Sequence, residues 1–235
     1  MTKSGFQFKQ FFIAHDQCAM KVNTDGILLG SIADVHQARQ ILDIGTGTGL
    51  IAIMLAQRSD PSCQITALEI EPNAYQQAVE NAQNSAWTDR IAIIKSDLFS
   101  ADFKRKFDLI VSNPPYFSDS LASRTAERDL ARSITQSHLA WLNQAKKWLA
   151  EQGKISFILP TQEAEKLLEQ SQTNGLFCTE IYRVITKTGQ APKRLILTFG
   201  FNSQVRQEKT LVVYNEQNQY TPDFMALTKD FYLKM

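Results

Sequence analysis

A chain of 235 residues, 43% of them hydrophobic, can bury one large domain with a good core, while two full domains would be cramped. Twenty-five basic side chains against 24 acidic ones leave a net charge of +1, which excludes binding to a polyanion through bulk charge and leaves that task to local patches. Cys18, Cys63 and Cys178 form no C-x-x-C pair, and no run of about 18 apolar residues appears, so neither a disulfide framework, a metal site, a membrane span nor a secretory leader is expected and the cytoplasm is the expected location.

In chain order, Thr24 reads as the N-cap of a helix over 25–38, preceded by one or two short strands. From residue 40 onward short β-branched runs alternate with helical patterns. QILDIG (40–45) is a first strand and LIAIMLAQRS (50–59) the helix it feeds. QITALEIE (64–71) is a second strand, followed by a helix that Pro72 opens. IAIIKSD (91–97) and FDLIVSN (107–113) are the third and fourth strands; a long helix over 134–153, closed by Gly153, leads into KISFILP (154–160), and another helix ends near Gly175. The last third carries three β-rich segments, CTEIYRVIT, KRLILTFGF and KTLVVYNE, and a terminal helix from Pro222. The alternation predicts an α/β fold with a mostly parallel sheet, an antiparallel C-terminal end and helices on both faces. The whole chain reads as a single domain, 1–235, with 1–39 an N-terminal extension to a core over 40–235.

The loop DIGTGTGL places glycines at 45, 47 and 49 between a strand and a helix, where the backbone can approach a ligand and the helix offers free N–H groups. The spacing is G-x-G-x-G, not the G-x-G-x-x-G that seats a dinucleotide pyrophosphate. Glu69 ends the second strand some 20 residues later, where a carboxylate can accept from ribose hydroxyls, and Asp97 follows the third strand, where it can meet an adenine amine. Glu71 reads as a solvated charge at a helix start. At the end of the fourth strand, Asn113-Pro114-Pro115-Tyr116 is a stiff turn that offers acceptors with few competing donors. If the Asn113 side-chain oxygen and the Pro114 carbonyl both accept from an exocyclic base amine, its lone pair is turned toward an electrophile; Tyr116 offers a face for stacking.

LDIGTGTG, ALEIE, KSDLF and NPPY together resemble the class I S-adenosylmethionine-dependent methyltransferases that act on planar amino groups, a Rossmann-like fold with a seven-stranded sheet. The stretch FKQFFIAHDQCAMKVNTDGILLG is similar to the start of the bacterial tRNA(Val) adenine-37 N6-methyltransferases, with Asn23 and Ser31 where that pattern often has Gly and Ala. The resemblance implies that Asp43, Gly45, Gly47 and Gly49 surround the methionine part of the donor, that Glu69 holds its ribose, that Asp97 and Leu98 meet its adenine, and that Thr24 and Asp25 lie nearby in a lid. It implies too that Asn113, Pro114, Pro115 and Tyr116 present the amine of an anticodon-loop adenine, with no metal and no obligate protein partner. A glutamine N5-methyltransferase acting on a release factor shares the turn, but the helical substrate domain of that family has no room before residue 40; methylation of adenine N6 or guanine N2 in another nucleic acid is a further alternative.

Arg124, Arg128 and Arg132 follow one another at i, i+4 and i+8, which suits either a phosphate-tracking ridge or a solvated face paired with Glu127 and Asp129. Lys187, Lys193 and Arg194 on a Gly/Pro-containing hairpin are a second candidate RNA contact, whereas Lys104-Arg105-Lys106 reads as a solvated loop. His15, His36 and His138 have no ligand spacing and read as structural or surface residues.

Overall fold

The computed structural model describes residues 4–18, 20–115 and 136–234. A short antiparallel hairpin, β1 (Gly5–Gln7) and β2 (Phe12–Ala14), precedes α1 (Thr24–Ile32). The alternating core follows as β3 (Gln40–Ile44), α2 (Leu50–Arg58), β4 (Gln64–Glu69), α3 (Pro72–Gln83), β5 (Ile91–Lys95) and β6 (Phe107–Ser112). Beyond it come α4 (His138–Lys146), β7 (Leu149–Pro160), α5 (Thr161–Ser171), β8 (Phe177–Lys187), β9 (Arg194–Gly200), β10 (Gln207–Tyr214) and α6 (Pro222–Thr228).

The large sheet has the order β10-β8-β9-β7-β6-β3-β4-β5. The chain runs outward from β3 to β5, then returns to lay β6 on the other side of β3, so the order reverses beside β3, where open α/β sheets bind their ligands. Strand β9 runs antiparallel to both β7 and β8, and the remaining pairs are parallel. The described sheet thus has eight strands rather than the expected seven, because the KTLVVYNE segment joins its edge as β10, parallel to β8.

Side chains alternate between two apolar layers: Ile41, Leu109 and Val111 pack on one side, Leu42, Ile44 and Ile110 on the other. The first layer joins Phe8, Ile13 and Leu28 from the N-terminal segment to Ile53 of α2 and Phe224 of α6. The second is filled by Trp141 and Leu142 of α4 with Phe107, Phe157 and Phe199.

Three boundaries differ from the sequence reading. Asn23, not Thr24, caps α1, its side-chain oxygen accepting from Gly26 N–H at 2.9 Å, so Thr24 sits inside the first turn. The same helix stops at Ile32 instead of running to 38, and the Arg58 guanidinium takes up the carbonyls of Gly30 and Ala33 at 2.9 and 2.8 Å. The helix expected over 134–153 covers only His138–Lys146, with Ser137 as its cap, because residues 149–153 already belong to strand β7, Leu149 pairing with Phe107. Gly153 closes no helix: the register shifts from Phe107↔Leu149 to Leu109↔Lys154 there, and a Cβ on it would stand 2.8 Å from the Phe107 carbonyl oxygen.

Candidate active site

The carboxyl ends of β6, β3, β4 and β5 lie side by side, and their loops build the site. After β3 the amides of Gly45 and Thr46 both donate to the Leu68 carbonyl at 2.9 Å, folding the loop over the neighbouring strand. Gly45, Gly47 and Gly49 have φ of 70°, 58° and 81°, a region costly for side-chain-bearing residues. Gly49 also lies against Ala78 of α3, whose backbone is 3.4 Å from where a Cβ would be.

Glu69 is nearly buried, and its carboxylate organises this loop: Oε2 accepts from Gly47 N–H at 2.8 Å, and Oε1 from Ile70 and Glu71 N–H at 2.9 Å each. A carboxylate has about four acceptor directions, so one on Oε2 is left for a further donor such as a hydroxyl, and a second must displace one of the backbone donors. Burial pushes the Glu69 carboxyl above its usual range, against these three amides. Glu71, read as a solvated charge, caps α3 by accepting from Asn73 and Ala74 N–H.

Asp43 lies beneath the loop with no exposed surface, and the Thr46 hydroxyl donates to its Oδ2 at 2.5 Å. Burial pushes the Asp43 carboxyl up to about 7, with the charge of Glu69 acting in the same direction. The amide of Ala52 favours the charged form, yet among the described residues no donor completes a hydrogen bond to Oδ1. Asp97 organises its own turn, accepting from Phe99 N–H and the Ser100 hydroxyl at 3.1 Å, while Leu98 beside it is buried.

At the end of β6 the Ser112 hydroxyl donates to the Ile44 carbonyl at 2.7 Å, which pins this strand end to the glycine loop. Asn113 follows, and its side-chain oxygen is buried with no hydrogen-bond partner among the described residues. A buried acceptor left unpaired costs stability, which marks it as a group waiting for a donor. A cavity of about 40 Å³ lies here, open to solvent on one side and lined among others by Met20, Asn23, Gly26, Gly45, Gly47 and Asn113.

The structure therefore brings Asp43, Gly45, Gly47, Gly49, Glu69, Asp97, Leu98, Asn113, Pro114 and Pro115 to one edge of the sheet, with Thr24 and Asp25 in the adjoining first turn of α1. Asp25 accepts from the Arg194 guanidinium at 2.8 Å, an ion pair that ties α1 to the start of β9. Lys193 is exposed. Tyr116, Arg124, Arg128 and Arg132 lie outside the described residues.

Sequence reading missed the residues that hold the loops to one another. Asn81 of α3 both donates to and accepts from the backbone of Ala14, and donates to the Thr48 carbonyl at 2.8 Å, while Gln77 accepts from Gln17 N–H at 3.0 Å. These two amides stand one helical turn apart among Ala74, Ala78 and Ala82, a polar pair inside a small-residue face that could have signalled them. Among the described residues no three His, Cys, Asp or Glu side chains gather as a metal site, and no helix is long and apolar enough to cross a membrane.

The strand order and the carboxyl-edge site are those of a Rossmann-like methyltransferase fold. The crystal structure of a predicted O-methyltransferase from Agrobacterium tumefaciens matches with a TM-score of 0.66, covering 88% of this chain and 96% of its own at 21% identity, a likeness of fold alone. The family model of the methyltransferase small domain matches residues 18–175. A tRNA1(Val) (adenine(37)-N6)-methyltransferase of Actinobacillus pleuropneumoniae serotype 7 (strain AP76) is 67% identical, with both chains covered completely. Another, from Haemophilus influenzae (strain PittEE), is 51% identical over 98% of this chain and 99% of its own. The chain belongs to the tRNA1(Val) (adenine(37)-N6)-methyltransferase family.

Proposed function

We propose that this chain transfers a methyl group from S-adenosylmethionine to N6 of adenine 37, beside the anticodon of tRNA1(Val), and that residues 1–235 act as one methyltransferase domain with 1–39 closing over the donor. The donor, when bound, supplies an electrophilic methyl group on a sulfonium. The observation that carries the reading is Asn113: an unpaired, buried acceptor beside the glycine loop, on a chain whose full-length relatives bear this activity in their names.

The residues present fit the donor. Gly45, Gly47 and Gly49 keep side chains out of the loop, Glu69 keeps an acceptor direction for ribose, Asp97 and Leu98 border the adenine, and Asp43 offers a carboxylate toward the methionine ammonium. Asn113 Oδ1 and the Pro114 carbonyl each accept one N–H of the target amine, which removes the lone pair from conjugation with the ring and aims it at the methyl carbon. The amine proton released on transfer needs no strong base, because the product nitrogen is acidic while it carries the extra methyl group. Pro115 stiffens the turn, and Tyr116 stacks on a base that leaves the anticodon loop, where extrusion costs less than from a duplex. Arg128, Arg132 and Lys193 contact phosphates in the cytoplasm where tRNA matures, whereas Arg194 is engaged by Asp25.

The test is mass spectrometry of nucleosides from tRNA incubated with the protein and donor. N6-methyladenosine confined to the tRNA1(Val) fraction at position 37 is the expected result; methyl appearing on a protein glutamine instead overturns the reading.

A further inference from the structure

Helix α4 reaches three of the loops that form the site, along a single ridge of residues spaced by three. His138 Nε2 lies 3.4 Å from the Pro115 carbonyl oxygen, in the turn that carries Asn113. The Trp141 indole covers Gly45, its ring 3.6 Å from where a Cβ would be, and Gln144 Nε2 donates to the Leu98 carbonyl at 3.3 Å. His138 is only 4% exposed, and its Nδ1 faces Glu163 Oε2 at 3.4 Å from the first turn of α5.

We propose that His138 is a positioning residue for methyl transfer: its Nε2–H holds the Pro115 carbonyl, which sets the turn bearing Asn113, and Glu163 decides which ring nitrogen keeps the proton. The proposal rests on the methyltransferase reading above. Its physical basis is that among the described residues the groups facing its two ring nitrogens, the Pro115 carbonyl and the Glu163 carboxylate, are both acceptors, while a neutral imidazole has one N–H to give. A charge-assisted bond to the carboxylate is the stronger, so the neutral ring gives its hydrogen to Glu163 and turns a lone pair toward Pro115. The imidazolium satisfies both at once. Among the described residues the charged groups acting on the ring are Glu163 and Lys166, both on α5; burial pulls the His138 pKa below its ordinary value, Lys166 adds to that, and the Pro115 carbonyl and Glu163 oppose it. Protonation of the pair therefore locks the turn, and deprotonation releases it.

Replacing the carboxylate with an amide reverses the choice. In E163Q the side-chain NH₂ can donate to Nδ1, which leaves the neutral ring protonated at Nε2 and bonded to Pro115. The parent kcat should consequently fall as pH rises through the apparent pKa of the pair, and E163Q should lose that fall. At pH below the apparent pKa of the pair, His138→Ala should lower kcat by about tenfold or more, the scale of a misplaced reacting group, with donor affinity unchanged, and His138→Gln, which can still donate to Pro115, should restore most of the rate.

The experiment combines these rates with ¹⁵N NMR of the imidazoles, which is tractable because the chain has three histidines. In the parent the neutral form of His138 should carry its proton on Nδ1, and in E163Q on Nε2. The proposal is overturned if parent and E163Q share one tautomer and one pH profile, or if His138→Ala keeps the parent kcat at pH below the apparent pKa of the pair. Should His138→Ala fail to fold, E163Q decides alone. A parent that leaves tRNA unmethylated sinks the methyltransferase reading, while the tautomer measurement still reports on the contact with Pro115.

Discussion

Asp43→Asn should change the stability of the protein in opposite directions at low and high pH. The Asp43 carboxyl has no exposed surface, and burial moves it from 3.8 to about 7. A folded-state pKa above the unfolded one means that the native state holds the proton more tightly, so the stability this group permits is fully present below about pH 4 and declines until pH passes about 7. At 1.36 kcal/mol per unit, the decline amounts to roughly 4 kcal/mol. An amide keeps an oxygen to accept from the Thr46 hydroxyl and carries no charge, so the variant has no such decline. Its added N–H bonds, buried where Oδ1 had no hydrogen-bond partner, cost about 1 to 3 kcal/mol at every pH. Their difference makes the variant less stable than the parent near pH 4 to 5 and more stable, by about 1 to 3 kcal/mol, at pH 8. Urea denaturation followed by circular dichroism across that range would show two crossing curves. Donor affinity at pH 8, measured by calorimetry, should fall because the methionine ammonium loses its counter-charge. Parallel stability curves would refute the argument, since they would mean that Asp43 is charged at no cost in the folded protein.

Four other substitutions separate roles that the site overlays. Glu69→Ala should weaken donor binding by about 1.5 to 3 kcal/mol and also lower the melting temperature, because Gly47, Ile70 and Glu71 lose their common acceptor; unchanged affinity in a calorimetric titration would remove Glu69 from the site. Asn113→Ala should cut kcat by roughly 10²-fold while leaving the melting temperature equal or higher, since the lost oxygen makes no hydrogen bond in the fold; near-parent turnover would sink its role. Arg194→Ala should loosen α1 and weaken donor binding through the loss of its pair with Asp25, whereas Lys193→Ala should lower the salt slope of tRNA binding by about one without touching donor affinity; a changed salt slope for Arg194→Ala would return that residue to the RNA surface.

Much of this protein was legible in its sequence because the evidence is local. The parallel strands are buried on both faces and therefore read as short apolar runs, and Pro72 marks a helix start by its own geometry. The candidate site positions were legible for a related reason: in this topology they stand at strand ends, so Gly45, Glu69, Asp97 and Asn113 are found by counting along the chain. Where the element boundaries moved, the cause lay elsewhere in the molecule. Gly153 looks like a helix stop until the Phe107 carbonyl across the sheet is seen to leave no space for a side chain, and α1 ends where Arg58 from α2 takes up its last carbonyls. The same holds for the contacts that set geometry. Asn81 meets Ala14 and Thr48 from 67 and 33 residues away, Arg194 reaches Asp25 across 169, and His138 meets Pro115 and Glu163 only because α4 and α5 pack on one face of the sheet. A lone amide or imidazole carries no spacing pattern, since its partner is chosen by chain reversal and packing, and so its role belongs to the tertiary structure alone.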